Sequence, residues 1–385
     1  MGRDLPRVLH VSLVPGIHQG VGILHQLRLE REAALSLNLS WDTVLFAPQS
    51  PIIDALDVPN PAPRDLTAAD ETSLTSRARS NLRLKRSFYS WLKAVEAKYD
   101  ILLLRYSVHD RRLAKLMSAR QGMVGLVHHS CEVPELLGLD GLVGRARGAS
   151  EAIVGRRTLR EADVLLAVTS EIAEYELARA SPLQIPTLIY PNGGTETPNP
   201  VIDRRCDVPE LLFVASHFSP WQGLDLLLES LGEYDQNIVL HLVGTMNESD
   251  ARRAQRDSRI FVHGVADQET IRRIAEPCWA GISSLATERQ GLRVACPLKV
   301  REYFSMGLPA VGSHLEELPN DFPFYARTTP DIGSIVEKAR EWRSISRSDI
   351  ASYATSVVSK KRILQDTYNE LTDLWLDRQE SLSHG

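Results

Sequence analysis

Short apolar runs rich in Leu, Val and Ile alternate along the chain with longer segments in which apolar residues recur at helical intervals. In the first half the runs are Val8–Leu13, Thr43–Ala47, Ile101–Arg105, Met123–His128, Val164–Val168 and Thr187–Tyr190. In the second half they are Leu211–Ala215, Ile238–Val243, Ile260–His263, Ala280–Ser284 and Ala310–Gly312. A continuous apolar run followed by a helical segment is the pattern of a strand buried on both faces of a parallel sheet, so the alternation predicts two series of βαβ units. Turn formers crowd the segment Asn192–Pro209 between the series, which predicts a first domain over residues 1–197 and a second over 198–347. Beyond Ser348, apolar residues at helical intervals predict terminal helices over 348–385 that return toward the first domain.

Composition narrows the class. The 385 residues are 43% hydrophobic and 24% charged, within the ordinary globular range, and too many for one small module. No apolar run reaches the ~18 residues that cross a bilayer, and the first residues lack a secretory apolar stretch, so a cytoplasmic protein without a membrane span is expected. Cys131, Cys206, Cys278 and Cys296 form no C-x-x-C pair, and no metal site is expected from them.

The net charge of −5 hides a local imbalance: residues 75–160 hold 17 basic and 7 acidic side chains. Such a surplus can face anionic lipid or an anionic acceptor, or it can be a solvated helical face. Within it, residues 74–98 set Phe88 and Trp91 among Arg77, Arg79, Arg83, Lys85, Arg86 and Lys93, which suits either an interfacial helix or a core-facing helix with a basic outer side. No recognition motif accompanies the charge, so a nucleic-acid partner is not expected.

The segment PLKVREYFSMGLPAVGS, Pro297–Ser313, holds the densest chemistry. Lys299 and Glu302 stand at i and i+3 on one helix face, suited either to a surface ion pair or to a nucleoside diphosphate, the ammonium meeting phosphate and the carboxylate accepting from ribose hydroxyls. Near the N-terminus, Gly16, Gly20 and Gly22 sit in a loop between the first strand and a helix beginning near Ile23. A dinucleotide fingerprint needs another glycine where the chain has His25, so no such cofactor is expected. The adjacent His128 and His129 at a strand end can position a substrate or take its proton, or form a structural pair.

Five segments in order, YPNGG (Tyr190–Gly194), LLFVASHFSPWQGLDLLLESL (Leu211–Leu231), LHLVGT (Leu240–Thr245), FVHGVADQETIRRI (Phe261–Ile274) and SSLATERQGLRVACPLKVREYFSMGLPAV (Ser283–Val311), resemble the retaining nucleotide-sugar glycosyltransferases of bacterial surface-glycan synthesis, the group 1 or family 4-like type. The resemblance implies the GT-B fold, two doubly wound Rossmann-like α/β domains facing across a cleft. It implies transfer of a sugar from a nucleoside-diphosphate donor to a glycan or lipid-linked acceptor, without metal or cofactor, by a cytoplasmic enzyme that can sit peripherally at the inner face of the cell membrane.

Carried over residue by residue, the resemblance gives Glu302 the ribose, the backbone of Val262, His263, Gly264 and Val265 the base, and Lys299 the phosphates with Arg293 in support. Gly291 and Leu292 fall in the same donor segment, whose side chains from Glu288 to Arg293 would select the sugar. The family often has Lys before the glycine of the first loop of the second domain; here Gln222 precedes Gly223, and Ser216 and His217 stand where an earlier Arg is usual. Whether Lys299 or the Gln222 loop holds the phosphates is therefore open. The position eight before Glu302, often Glu in the family, is Val294, which leaves Glu288 as the nearby acid. In the first domain His128 or His129 matches the family's cleft histidine, and Gly20, Gly22 and Arg105 fall on the acceptor side. A nucleotide-sugar epimerase on the same fold, or a sugar-nucleotide-binding subunit without turnover, would carry the same donor residues.

Overall fold

The structure is a computed structural model that describes residues 5–15, 21–50, 53, 57–66, 74–120, 122–138 and 141–383. The chain folds as two compact units, residues 1–191 together with 360–385, and residues 192–359. The break falls at the start of the turn-rich segment instead of at 197, because backbone bonds hold that segment in the second unit: Gly194 N–H donates to Val358 and Val201 N–H to Met306. The two terminal helices divide. Arg347–Val358 stays in the second unit, and Lys360–Ser383 returns to the first.

In the first unit β1 (Val8–Leu13), β2 (Trp41–Phe46), β3 (Ile101–Arg105), β4 (Met123–His128), β5 (Val164–Ala167) and β6 (Thr187–Ile189) form one parallel sheet in the order β2-β1-β3-β4-β5-β6. Every residue of β1 is buried, as a strand covered by helices on both faces requires. On one side Leu84, Phe88 and Leu92 of the helix Leu74–Val95 pack on the sheet, the Phe88 ring 5.3 Å from Phe46. On the other, Leu364, Tyr368 and Leu371 of the last helix pack with Ala33, Ala34 and Trp41, and Tyr368 donates to the Pro6 carbonyl at 2.9 Å. Burial of each such side chain stabilises by roughly 1.5–3 kcal/mol.

The apolar face of Leu74–Val95 is thus spent on the core. Trp91 lies 5.6 Å from Phe46, Lys85 pairs with Asp110 at 3.0 Å and Arg83 with Asp65 at 3.5 Å. Of the two readings of this helix, the core-facing one is what the packing contains.

The second unit repeats the plan. β7 (Glu210–His217), β8 (Val239–Thr245), β9 (Ile260–Gly264), β10 (Ala280–Ile282), β12 (Ala310–Gly312) and β14 (Tyr325–Arg327) form a parallel sheet in the order β14-β12-β10-β7-β8-β9. The short β11 (Val294–Ala295) and β13 (Leu315–Glu316) pair beside it. Tyr303 fills the core under β10: its ring would collide with any Cβ on Gly281, and its hydroxyl accepts from the Val214 N–H at 3.0 Å. The doubly wound α/β class is the one the apolar pattern predicts. In each sheet the chain reverses its direction of winding at one place, β1/β3 and β7/β10, and open α/β sheets bind ligands beyond the carboxyl ends of the strands there. Among the described residues no helix is long and apolar enough to cross a membrane.

Candidate functional site

In the second unit the chemistry gathers beyond β7 and β10. β7 runs out at Ser216 and His217, both exposed, and the chain makes a tight turn over Pro220–Gln222 before the helix Leu224–Glu233. Gly223 joins the turn to that helix with φ of +75°, and a Cβ there would stand 2.8 Å from Leu285, so glycine is required by conformation and by space. The turn is tied to the segment after β10: Leu285 N–H donates to Gln222 O at 2.9 Å, and Arg289 grips Asp225 with two bonds of 2.9 Å while reaching the Pro220 carbonyl at 2.7 Å.

Into this frame the helix Leu298–Ser305 presents Lys299 and Glu302, both half-buried. The Lys299 ammonium donates to Gln222 Oε1 at 2.6 Å and lies 4.9 Å from the Phe213 ring centre; Ser284 donates to the same Gln222 oxygen at 3.3 Å. Burial lowers the Lys299 pKa to about 7 against the pull of Glu302, and burial raises that of Glu302 against the pull of Lys299. Among the described residues nothing hydrogen-bonds the Glu302 carboxylate, which leaves it able to accept from a diol. Glu288, Gly291 and Arg293 are exposed and Leu292 is half-buried, all in the turn that Arg289 anchors.

Val262, His263 and Gly264 end the edge strand β9, with Val262 and Val265 exposed. The His263 imidazole stacks on His241 and meets it at 3.0 Å, while His241 bonds Glu210 at 2.9 Å; burial, with His241 second, lowers the His263 pKa. Beneath the Lys299 helix lies an ionic network that sequence reading missed. Buried Arg301 meets Glu316 at 3.0 Å, the Asn192 carbonyl at 3.0 Å and Cys296 Sγ at 2.9 Å; Glu316 continues to His314 at 3.1 Å, and His314 reaches the Ser284 carbonyl. Cys296, Arg301, His314 and Glu316 lie within about twenty residues of one another, but no helical or strand spacing pairs Arg301 with Glu316 or with the distant Asn192 carbonyl.

In the first unit a pocket of about 400 Å³ opens at the ends of β1, β3 and β4, lined by Leu13, Pro15, Arg105, His129, Ser130 and Glu135 among others. Burial, with Arg105 second, pushes the His129 pKa well below the ordinary histidine value and so favours the neutral imidazole, and among the described residues its buried Nδ1 has no hydrogen-bond partner. Burial lowers the Arg105 pKa to about 10 against Glu132. Gly22 lies in the first turn of the helix Val21–Ser36, and Ile23 of that turn lines the pocket; Gly20 and Gly16 lie outside the described residues.

His128 is placed differently from His129. It is fully buried, stacked on Tyr106 with ring centres 4.3 Å apart, and its Nδ1 meets Glu132 at 3.0 Å. This position is a packing one, and the strand alternation that sends His129 to the pocket sends His128 away from it. Around it Glu132, Glu151 and Glu176 converge on Arg179, at 3.5, 3.2 and 2.8 Å. His128, Glu132 and Glu176 bring ligand atoms within 4.8 Å of one another, a set with metal-ligand chemistry, but the Arg179 guanidinium already stands against both carboxylates.

Residues 208–322 match the family model described as Glycosyl transferases group 1. No curated protein matches the chain closely in sequence. Among solved structures, sucrose-phosphate synthase from Thermosynechococcus elongatus is similar over 96% of this chain and 100% of its own, with a TM-score of 0.64 at 14% identity. The HepE protein of Anabaena, solved in complex with UDP, is similar over 95% of this chain and 100% of its own, with a TM-score of 0.62 at 13% identity. The lipopolysaccharide outer core galactosyltransferase WaaB, in its apo form, covers 93% of this chain and 98% of its own, with a TM-score of 0.60 at 14% identity. These likenesses show the fold of the GT-B glycosyltransferases, and the group 1 domain makes the chain a glycosyltransferase by class.

Proposed function

We propose that the protein transfers a sugar from a nucleoside-diphosphate donor to a glycan or lipid-linked acceptor, with retention of configuration and without a metal ion, in the synthesis of a surface polysaccharide. The observation that carries the reading is the juxtaposition of Lys299, Gln222 and Glu302 beyond β7 and β10, inside the group 1 domain. The donor binds to the second unit, with Glu302 accepting from the ribose and the end of β9 meeting the base. Lys299 supplies positive charge where the departing diphosphate gains negative charge, which lowers the barrier because a preorganised cation needs no reorganisation as the bond breaks. Arg293 adds to that field. The HepE structures hold UDP and UDP-glucose, which supports a uridine nucleotide as the first donor to try.

The acceptor belongs to the first unit, where the neutral His129 can hold or receive the proton of an acceptor hydroxyl and Arg105 can orient it. Its work at an anionic cytoplasmic membrane face, by peripheral contact, accounts for the basic surplus in residues 75–160.

A thermal-shift series of nucleoside diphosphates and their sugars identifies the donor, since a ligand bound by the folded state raises the midpoint. Donor and acceptor together must then give a glycoside whose yield survives a chelator. A new sugar formed from the donor alone would make the protein an epimerase, and binding without turnover on any acceptor would make it a binding subunit.

A further inference from the structure

We infer that the helix Gly141–Leu159 is the surface by which the protein lies on an anionic bilayer. The inference rests on the peripheral attachment proposed above and gives that attachment a place in the fold.

The helix is packed with its small side inward. Its buried residues are Gly144, Gly148, Glu151, Gly155, Thr158 and Leu159. A Cβ on Gly148 would stand 2.6 Å from the Leu137 side chain, and one on Gly155 would overlap Arg179, so neighbouring helices approach too closely for larger groups. The large apolar side chains are left outside: Leu142 is 81% exposed, Val143 70% and Ile153 75%. Exposed clusters of large apolar residues mark a surface that meets something other than water.

The charges on the same helix select what it meets. At 100° per residue, Leu142, Ala146, Ala149 and Ile153 fall within about 60° of arc at the centre of the exposed face, with Arg145 and Arg156 along one side, Arg157 along the other, and Arg147 about 130° from the centre. All four arginines are exposed. The one acid of the helix, Glu151, is fully buried, accepting from the His109 N–H at 2.7 Å and from Arg179 at 3.2 Å. The outer face therefore carries three arginines flanking an apolar stripe and no negative charge. An interfacial helix needs this order: apolar side chains enter below the headgroups while arginines on both flanks extend to the phosphates. Beside it the helix Arg111–Ala119 contributes Arg111 and Lys115, which with Arg157 line a groove of about 490 Å³ where an anionic headgroup can sit. The inward glycines and Glu151 hide this arrangement from the plain periodicity of the sequence.

Vesicle flotation tests it, with vesicles of phosphatidylglycerol in phosphatidylcholine against phosphatidylcholine alone. The wild-type protein floats with the anionic vesicles at low salt and is released at high salt. Each arginine among Arg145, Arg156 and Arg157 changed to Gln weakens partitioning about fivefold. Leu142→Ser with Ile153→Ser abolishes flotation, with an unchanged melting midpoint showing an intact fold. Flotation retained by both sets of variants overturns this surface while leaving peripheral attachment standing, as does loss of flotation only when Arg83, Lys85 and Arg86 are reversed to Glu. A wild-type protein that ignores anionic vesicles, or binds neutral ones equally, overturns surface and attachment together, whatever the donor assays show.

Discussion

The ammonium of Lys299 and the side-chain oxygen of Gln222 stand 2.6 Å apart, so the two places at which a donor phosphate could be held are one place. The helix carrying Lys299 and the turn carrying Gln222 are built from segments far apart in the chain, and Ser284 joins them at the same oxygen. In the proposed donor site a diphosphate entering there would meet a cation already oriented by its neighbour, with Gln222 as a positioning group for the lysine.

Lys299→Ala should lower turnover more than it weakens the nucleoside diphosphate, because the interaction grows as the leaving group gains charge. Burial also makes this lysine titrate at about 7 in the free protein. Its charged form is the one that binds, so affinity for UDP should fall as pH rises through about 7 in the wild type. In Lys299→Arg, whose guanidinium stays charged, the curve should flatten. Titration calorimetry across that range decides the point, and parallel curves for the two proteins would remove Lys299 from the phosphates.

Glu302→Ala should weaken nucleoside-diphosphate binding by on the order of 1.5–3 kcal/mol, the worth of hydrogen bonds to a charged acceptor. Since the carboxylate is half-buried and holds no hydrogen bond among the described residues, the melting midpoint of the free protein should change little. A 2′,3′-dideoxynucleotide should bind the wild type and the variant with nearly equal affinity. If the variant discriminates against the dideoxy form as strongly as the wild type does, the ribose is held elsewhere.

Much of this was legible in the chain, for stated physical reasons. A strand covered on both faces must be a continuous apolar run, so Val8–Leu13 or Leu211–Ala215 announces itself, whereas β11 and β13, two residues each, are too short to carry a pattern. The Lys299–Glu302 pair of the candidate site was legible because the two stand three residues apart on one helix. The support beneath them was not: Arg301, Glu316 and His314 meet only because a two-stranded sheet folds back under the helix. The Arg289–Asp225 clamp is likewise invisible before the turn and the helix are brought together. Nor could one sequence separate His128 from His129, since their difference is the face of β4 on which each falls.

The two histidines should part company on mutation. His129→Ala removes a side chain with an unpartnered Nδ1 at a pocket wall, so stability should change by under about 1 kcal/mol while turnover falls by about 10²–10⁴, the usual worth of a positioned proton acceptor. His128→Ala strips a buried partner from Glu132 and the ring that stacks on Tyr106, at a cost of roughly 2–4 kcal/mol. Urea denaturation and initial rates on both variants check the split. Catalytic loss in His128→Ala at full stability would reverse the assignment.

The carboxylates around Arg179 should make the protein lose stability as pH rises above neutrality. One guanidinium stands among Glu132, Glu151 and Glu176, and burial disfavours the charged forms of Glu132 and Glu176. Burial pushes Glu132 up to about 7 and Glu176 up to about 8, against the pull of Arg179 on both and of His128 on Glu176, and the two carboxyls share a hydrogen bond. The pair therefore keeps a proton in the folded chain that the unfolded chain releases at an ordinary carboxyl pKa of 4.5. Because the folded state binds more protons over that window, the stabilising contribution is complete below about 4.5 and is lost as pH climbs through 7 and 8. His128 runs the other way: burial lowers it to about 4, and its contribution grows as pH rises toward its ordinary 6.5. In Glu176→Gln the amide mimics the protonated acid, so its stability from urea denaturation should match the wild type in mild acid and exceed it by on the order of 2 kcal/mol in alkaline solution. Equal slopes of stability against pH in the two proteins would mean that the cluster is ionised throughout and that Arg179 suffices for it.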